Sequence, residues 1–467
     1  MLDYRLKIGL VPDVRDLFDF KTRKGIFEPA KGIENKNKVL EYLKSNFEDD
    51  TTEFTDLEWL NEYGVVYKNS DASVVSDYLK EQKVDAIFLI NCNFGNEEVM
   101  GQIARNVGVP VLLWGPQDMV FEQNGQRYTD AQCGLFAISK QLRRYKIPFS
   151  YIENCPVDSA TFEKGFKKFL SVATMVKNFK NLRITMVGTR FSQFKSIMSN
   201  ELELNEKFGI NINNVNMSVV EDKFERILSE KADCLEKDLA DLKEKYDVSG
   251  LEDILLKKML VFVYLYKEIF EENEADVMAS ECWTSMPIAF GANPCLAMSI
   301  LCDMGYIVTC ESDIYGAITN ALLLCASRGK DKPTFGEFTV RNPWNDNSEL
   351  LWHCGPFPYS VKDDNCGAKL FNTKPSFKTK DGEYTIARFQ GDAGKYTLLG
   401  GNFKTCEGPV TFGTYMWAEF KNWSKIENKI INGPYIHHMS EVFGKYEDVL
   451  EEFCKFVPEL EFDRLEN

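Results

Sequence analysis

Only three histidines occur among the 467 residues, and they fall in two Gly- or Pro-flanked contexts, His353-Cys354-Gly355 and Gly433-Pro434-Tyr435-Ile436-His437-His438. Imidazole is the commonest neutral ligand of a divalent transition ion, and its second nitrogen is held by an outer partner. An isolated histidine pair on a surface needs no such role, so a metal site depends on carboxylates being brought to it. Two sources are available. Glu281 follows a short apolar run, Asp276 to Ser280, and Glu311 and Asp313 follow another, Tyr306 to Cys310. If both runs are parallel strands, their carboxyl ends deliver Glu281 and Asp313 to one crevice. The two-residue period puts Glu311 on the same side as Asp313 if that strand continues so far. Two carboxylates and one or two imidazoles, with positions left open for substrate oxygens, suit Mn²⁺ or another divalent metal. Simpler readings compete. Asp313 precedes an apolar helical stretch, where an aspartate N-cap needs no catalytic explanation, and Glu281 could pair with a lysine.

The elements that must position these residues follow an alternating order. Strands are expected at Leu6 to Val11, Ala86 to Asn91 and Val109 to Trp114, with helices at Lys36 to Phe47, Ser73 to Gln82 and Glu97 to Val107. This alternation predicts a parallel sheet covered on both faces. Pro148 confines a further strand, Ile147 to Tyr151, to an edge, and Ala160 to Phe179 reads as a long helix. A second α/β unit runs from a strand at Leu182 to Val187 through a helix at Glu201 to Phe208. It continues with long helices at Val219 to Tyr246 and Leu251 to Glu272, strands at Asp276 to Ser280 and Tyr306 to Cys310, and helices at Pro294 to Met304 and Asp313 to Ala326. After about Thr334 short segments with Gly, Asn and Asp turns take over (Tyr384 to Phe389, Lys395 to Leu399, Pro409 to Phe420), the pattern of an antiparallel β-rich domain. A helix at Glu441 to Phe456 is expected to close the chain. The expected domains are 1–172, 173–340 with the carboxylates, and 341–467 with the histidines.

Composition narrows the function. The formal net charge is -16 and the pI about 4.9, which argues against a nucleic-acid or anionic-membrane surface. No segment reads as a targeting signal or a membrane span. Thirteen scattered cysteines without a C-x-x-C pair fit reduced thiols in a cytoplasm. Neither a Gly-rich phosphate loop nor a G-x-S-x-G elbow is present, which disfavours nucleotide and serine-hydrolase chemistry. Arg15, Lys21, Arg23 and Lys24 read as a solvated basic loop that could otherwise meet an anionic sugar.

The runs Glu281-Cys282-Trp283 through Pro294-Cys295, Gly305-Tyr306 and Cys310-Glu311-Ser312-Asp313-Ile314-Tyr315-Gly316-Ala317 resemble the second-domain core of the L-fucose/L-arabinose isomerase family. His353-Cys354-Gly355 and Gly433 to His438 resemble its carboxyl-terminal motifs, with weaker similarity through Arg127 to Gly134 and Gly188 to Gly209. The resemblance implies two Rossmann-like parallel-sheet domains followed by a β-rich, barrel-like domain. It implies metal ligands at Glu281, Asp313 and one histidine of the 437–438 pair, with His438 favoured. It places His353 either at the metal or beside a substrate hydroxyl. It also implies a homo-oligomer, a hexamer on the family's pattern, in which one amino-terminal domain can complete a neighbour's site.

The expected activity is aldose–ketose isomerisation through an enediol, on L-fucose, D-arabinose, L-arabinose or a modified sugar such as sulfoquinovose. Glu281 and Asp313 would be the acid and base, in an order left open. His353 and His437 would meet the sugar, and Trp417, with Tyr415 or Trp352, would offer an aromatic platform. A sugar-binding protein without turnover and a metal-dependent hydrolase with the same ligands are the competing functions.

Overall fold

A computed structural model describes residues 1–15, 27–118, 121, 125 and 127–466; Lys21, Arg23 and Lys24 of the basic loop lie outside them. The chain forms two compact units, residues 4–177 and residues 178–467 with 1–3.

The first unit is built on strands β1 (Leu6–Asp13), β2 (Thr52–Thr55), β3 (Ala86–Asn91), β4 (Val111–Trp114) and β5 (Phe149–Tyr151). They form one sheet in the order β2-β1-β3-β4-β5, and every pairing is parallel. Strand alternation explains the two-sided core. Leu6, Ile8, Phe88, Ile90 and Trp114 pack with α1 (Pro29–Phe47) and α5 (Ala160–Phe179). Val11, Ile87, Leu89 and Leu113 pack on the other face with α2 (Asp71–Glu81), α3 (Glu97–Val107) and α4 (Ala131–Arg144). β5, with Pro148 before it, is an edge strand, as expected.

The second unit contains a four-stranded parallel sheet and a barrel. The sheet has the order β7-β6-β8-β9, with β6 (Arg183–Val187), β7 (Asn211–Val215), β8 (Val277–Ser280) and β9 (Val308–Thr309). Its helices are α6 (Glu201–Phe208), α7 (Met217–Glu230), α8 (Ala232–Lys245), α9 (Asp253–Glu272), α10 (Ser285–Phe290), α11 (Cys295–Asp303) and α12 (Ile314–Ala326). α12 is buried along its whole length. It touches β8 on one side and β14 (Glu383–Asp392) and β17 (His438–Phe443) of the barrel on the other, which is why it is apolar all round.

The barrel closes through β10 (Thr334–Arg341), β11 (Ser348–His353), β16 (Thr414–Glu419), β15 (Lys395–Thr405), β14 and β17, each antiparallel to the next. β13 (Lys374–Lys378) extends it along β16, carrying β12 (Lys369–Phe371), and β18 (Leu460–Arg464) extends it along β15. The β14–β15 hairpin turns on Ala393 and Gly394, with φ of 49° and 79°. Two left-handed residues in a two-residue loop match the twist of the strands they join. Closure removes the exposed edges of an antiparallel sheet. The expected class is therefore the observed one: two parallel α/β sheets and a carboxyl-terminal antiparallel barrel.

Local expectations fail in four places. The segment from Glu441 is not helical at first: it continues β17, turns at Gly444 (φ 108°), and only then forms α14 (Glu447–Cys454). Met439 and Val442, on opposite faces of the strand, are both buried, and that burial overrides helical periodicity. The stretch Val219 to Tyr246 is two helices, parted at Lys231 (φ -101°, ψ 22°). The short helix α13 (Trp423–Asn432) was not expected within the β-rich region. Finally, β9 stops at Thr309, so the β-period does not carry Glu311 and Asp313 to one side.

Candidate metal centre

Beyond β9 the chain enters a tight turn in which Glu311 and Ser312 have φ of 65° and 58°. Left-handed backbone costs a non-glycine residue roughly 1–2 kcal/mol, and such strain gathers at functional sites. Here it brings Glu311 Oε2 to 3.2 Å from His438 Nε2.

Asp313, the next acidic residue, caps α12 by accepting the Gly316 N–H at 2.9 Å. Arg388, on β14, grips the same carboxylate with Nη1 at 2.6 Å and Nη2 at 3.2 Å, and both side chains are fully buried. Burial alone would raise the Asp313 carboxyl. The Arg388 charge and the His438 contact outweigh it and hold Asp313 well below the usual carboxylate range. An ionised Asp313 accepts, so His438 Nδ1, 2.9 Å away, carries the ring proton and donates. That leaves Nε2 to take either a second proton or a metal ion, and with a metal the ring is in the tautomer of a metal-ligating histidine.

Around that nitrogen stand further donors. The ligand atoms of Glu311, His353 and His438 lie within 4.8 Å of one another, as do those of Glu337, His437 and His438. Glu337 on β10 is the cross-strand partner of His438 on β17, which puts both side chains on one face; Glu337 Oε2 is 3.4 Å from His437 Nε2. Among the described residues, Glu311 Oε2, His438 Nε2 and His353 Nε2 are buried without a hydrogen-bond partner. Buried polar atoms are seldom left so. Two of them, a carboxylate oxygen and an imidazole lone pair, face each other at 3.2 Å. Either a proton or a cation resolves that arrangement. Burial lowers the His438 value, but Asp313 and Glu311 outweigh it and leave His438 raised to about 9. A divalent ion among the same atoms fits equally well, and the mixed carboxylate and imidazole donors suit such an ion.

The two carboxylates are pushed apart. Burial would raise Glu311, but the His438 ring it faces and then the charge of His353 hold it below its ordinary value. Burial raises Glu337. His437, half-buried beside His438, is lowered to about 4, first by burial and then by its neighbour's charge. His353 is buried; its Nδ1 accepts the Cys354 N–H at 3.0 Å. Coordination through Nε2 needs that nitrogen bare and the ring proton on Nδ1, so coordination and the Cys354 contact are alternatives.

The expected residues are thus distributed unevenly. Asp313 and His438 meet directly, and His353 and His437 join them. Glu281 belongs to none of the clusters of metal-capable donors among the described residues. Its carboxylate accepts from the Trp283, Thr284, Ser285 and Met286 backbone N–H groups and the Thr284 hydroxyl, fastening the start of α10. Gly188 (φ 77°) lies so close that a Cβ would sit 2.9 Å from that of Glu281. Trp417 is buried with Leu350 and Tyr415 and donates Nε1 to the Pro409 carbonyl at 2.9 Å, away from the histidines. Aromatic surface comes instead from Phe191, Phe194 and the half-exposed Trp283. Trp283 lies 4.8 and 5.4 Å from the two Phe rings, and Phe194 lies 6.4 and 6.3 Å from His437 and His438. Arg190 ties this loop by donating to the Phe191 and Phe194 carbonyls. Glu337 and the aromatic wall had no sequence signal beyond residue type, because a strand interior and a loop far along the chain supply them.

Residues 20–180 match the model of the fucose/sulfoquinovose isomerase N-terminal domain. Sulfoquinovose isomerase of Priestia aryabhattai is 26% identical over 393 residues, covering 82% of this chain and 86% of that one. The sulfoquinovose isomerase of Alkalicoccus urumqiensis is 24% identical, covering 68% and 71%. Among solved structures, a Bacillus halodurans solute-binding protein with bound myo-inositol covers 70% of this chain and 90% of its own at 12% identity, with a TM-score of 0.18, too low to bear on fold or function. Over its first domain the chain is similar to the fucose/sulfoquinovose isomerases, and over most of its length to the sulfoquinovose isomerases. It is an isomerase.

Proposed function

We propose that this enzyme is a divalent-metal-dependent aldose–ketose isomerase whose ion is held by Glu311, His353 and His438. The buried, partnerless pair of His438 Nε2 and Glu311 Oε2, 3.2 Å apart, carries the reading. Mn²⁺ is the ion favoured by this donor set. When bound, it supplies Lewis-acid stabilisation of the negative charge that develops as a proton leaves the carbon beside a carbonyl, an effect worth several kcal/mol.

The chain's own groups do the proton work. Glu311, held ionised, takes the proton from C2 of the open-chain aldose. Glu337, its carboxyl raised by burial, is the group assigned to give one to the carbonyl oxygen at C1, and the product is the enediol. Return of a proton to C1 and loss of the O2 proton complete the ketose. Environments that drive two carboxylates apart mark such an acid and base, and each transfer contributes on the order of a hundred-fold or more. Asp313 acts through His438, fixing its tautomer, and Arg388 keeps Asp313 ionised. His437 and the wall of Phe194 and Trp283 are assigned to the sugar.

The substrate class we assign is the sulfonated aldose named for the relatives, sulfoquinovose. The test is an aldose panel of sulfoquinovose, L-fucose, D-arabinose and L-arabinose, run with Mn²⁺ and with chelator in deuterated water. Ketose formation from sulfoquinovose that stops with chelator, with solvent deuterium at the migrating position, is the expected result. Turnover unaffected by chelator contradicts metal dependence, and turnover confined to a neutral sugar contradicts the substrate. Thirteen unpaired cysteines support a reducing, cytoplasmic location. No helix among the described residues is long and apolar enough to cross a membrane.

A further inference from the structure

A second group of side chains lies directly behind His353. Cys295 opens α11 immediately after Pro294, and Cys354 follows His353 at the end of β11; their Sγ atoms are 3.6 Å apart although 59 residues separate them in sequence. Cys295 is buried and Cys354 partly open to solvent. Cys310 joins them, with its Sγ within 4.8 Å of Cys354 Sγ and a His353 nitrogen. Hydrogen bonding from Cys310, then from Cys354, and the Lys374 charge lower the Cys295 thiol from its usual range. Thiols gathered at one point from separate elements make no contribution to the isomerisation described above.

The geometry points to a modification site: a hydroperoxide oxidises Cys354 and Cys295 to a disulfide, and closure withdraws His353 from the metal centre. The Cys354 sulfur, the more exposed of the two, attacks hydrogen peroxide and gives up its thiol proton; the O–O bond breaks, the hydroxide released takes that proton and leaves as water, and Cys354 becomes a sulfenic acid. The Cys295 thiolate then attacks that sulfur, the S–S bond forms, the S–O bond breaks, and a second water leaves. Two thiols are oxidised and one peroxide is reduced.

Closure requires the two sulfurs to approach by about 1.5 Å. The chain beyond Cys354 resists, because Gly355 (φ 136°) already sits where a Cβ would be 2.8 Å from Pro375 Cδ. The movement therefore falls on Cys354 and on its chain neighbour His353, and it favours the contact between the Cys354 N–H and His353 Nδ1, 3.0 Å here, which excludes coordination through Nε2. The regulatory consequence rests on the assignment of His353 to the metal centre; formation of the disulfide does not.

The experiment treats the Mn²⁺-loaded enzyme with hydrogen peroxide, blocks remaining thiols and maps peptides by mass. The expected result is a Cys295–Cys354 linked peptide, a loss of activity of tenfold or more, and recovery of both with dithiothreitol. Cys295→Ser and Cys295→Ala keep basal activity, form no such peptide and lose the reversible inactivation. Absence of the linked peptide in reversibly inactivated enzyme, linkage with activity intact, or unchanged reversible inactivation in both variants overturns the proposal. His353→Ala separates the two readings: full activity and metal content there refute the site assignment, while the linked peptide still reports on the thiols.

Discussion

Asp313 Oδ2 lies 2.9 Å from Nδ1 of His438, and through that contact a residue at a helix start decides what the opposite ring nitrogen can bind. The aspartate is at once an N-cap, an ion-pair partner of Arg388 and the outer partner of an imidazole. The helix cap therefore does not compete with the proposed functional role, because one side chain can serve both.

Asp313→Asn is expected to lower metal affinity about 10- to 100-fold, the usual effect of removing an outer partner, which a Mn²⁺ titration measures. It also leaves the buried Arg388 charge uncompensated, and breaking one side of a buried pair costs about 3–5 kcal/mol. Denaturant unfolding should show that loss. Restored stability without restored affinity is expected when Arg388→Met is added.

Glu281→Gln is expected to keep its ion. The amide cannot accept all of the N–H donors that now converge on the carboxylate, so the start of α10 loosens at a cost of about 1–2 kcal/mol. Metal analysis beside a thermal melt distinguishes this from a ligand's role. Metal loss equal to that of Glu311→Gln would return Glu281 to the ion.

Two tryptophans should behave differently. Trp283→Ala, half-exposed beside Phe191 and Phe194, should raise KM for the sugar several-fold with a smaller effect on kcat. Trp417→Ala, buried with Leu350 and Tyr415, should cost about 3–5 kcal/mol of stability with KM little changed. Steady-state kinetics on the folded fraction check both.

Glu441, in the barrel wall, is fully buried, and burial pushes its carboxyl up to about 7 against the Thr334 hydroxyl that opposes the rise. Thr334 on β10 and Ile386 on β14 face it across the sheet, and no charged group faces it from either. A raised folded-state value means that the native protein keeps a proton the unfolded chain has lost. Stability should therefore fall as pH rises from about 4.5 to 7 and then level off, by up to about 3 kcal/mol. Glu441→Gln removes that slope, which denaturant titrations at several pH values between 5 and 8 would show.

Strongly periodic elements were legible to the residue: β3 at Ala86–Asn91, α3 at Glu97–Val107, α5 at Ala160–Phe179 and α6 at Glu201–Phe208. They carry amphipathic or uniformly buried patterns that tertiary contacts only reinforce. β17 was not legible, because His438–Phe443 is short, buried on both sides and continuous in sequence with a real helix. In the site, strand-end logic paired Asp313 with Glu281, whereas its approach to His438 was implied by the family resemblance. Glu311 did not follow in the same way: its position comes from two left-handed residues, which no side-chain period reports. Glu337 was hidden because a glutamate inside an eight-residue strand looks like a solvent-facing position until its cross-strand partner, His438, is known.

The most direct measurement is metal content and Mn²⁺ affinity of the wild-type enzyme against Glu311→Gln and His438→Ala, each checked for native folding. The account predicts a single tightly held ion per wild-type chain, and a loss of affinity of at least a hundred-fold in both variants, with isomerase activity falling in step. Wild-type affinity in both folded variants would contradict it.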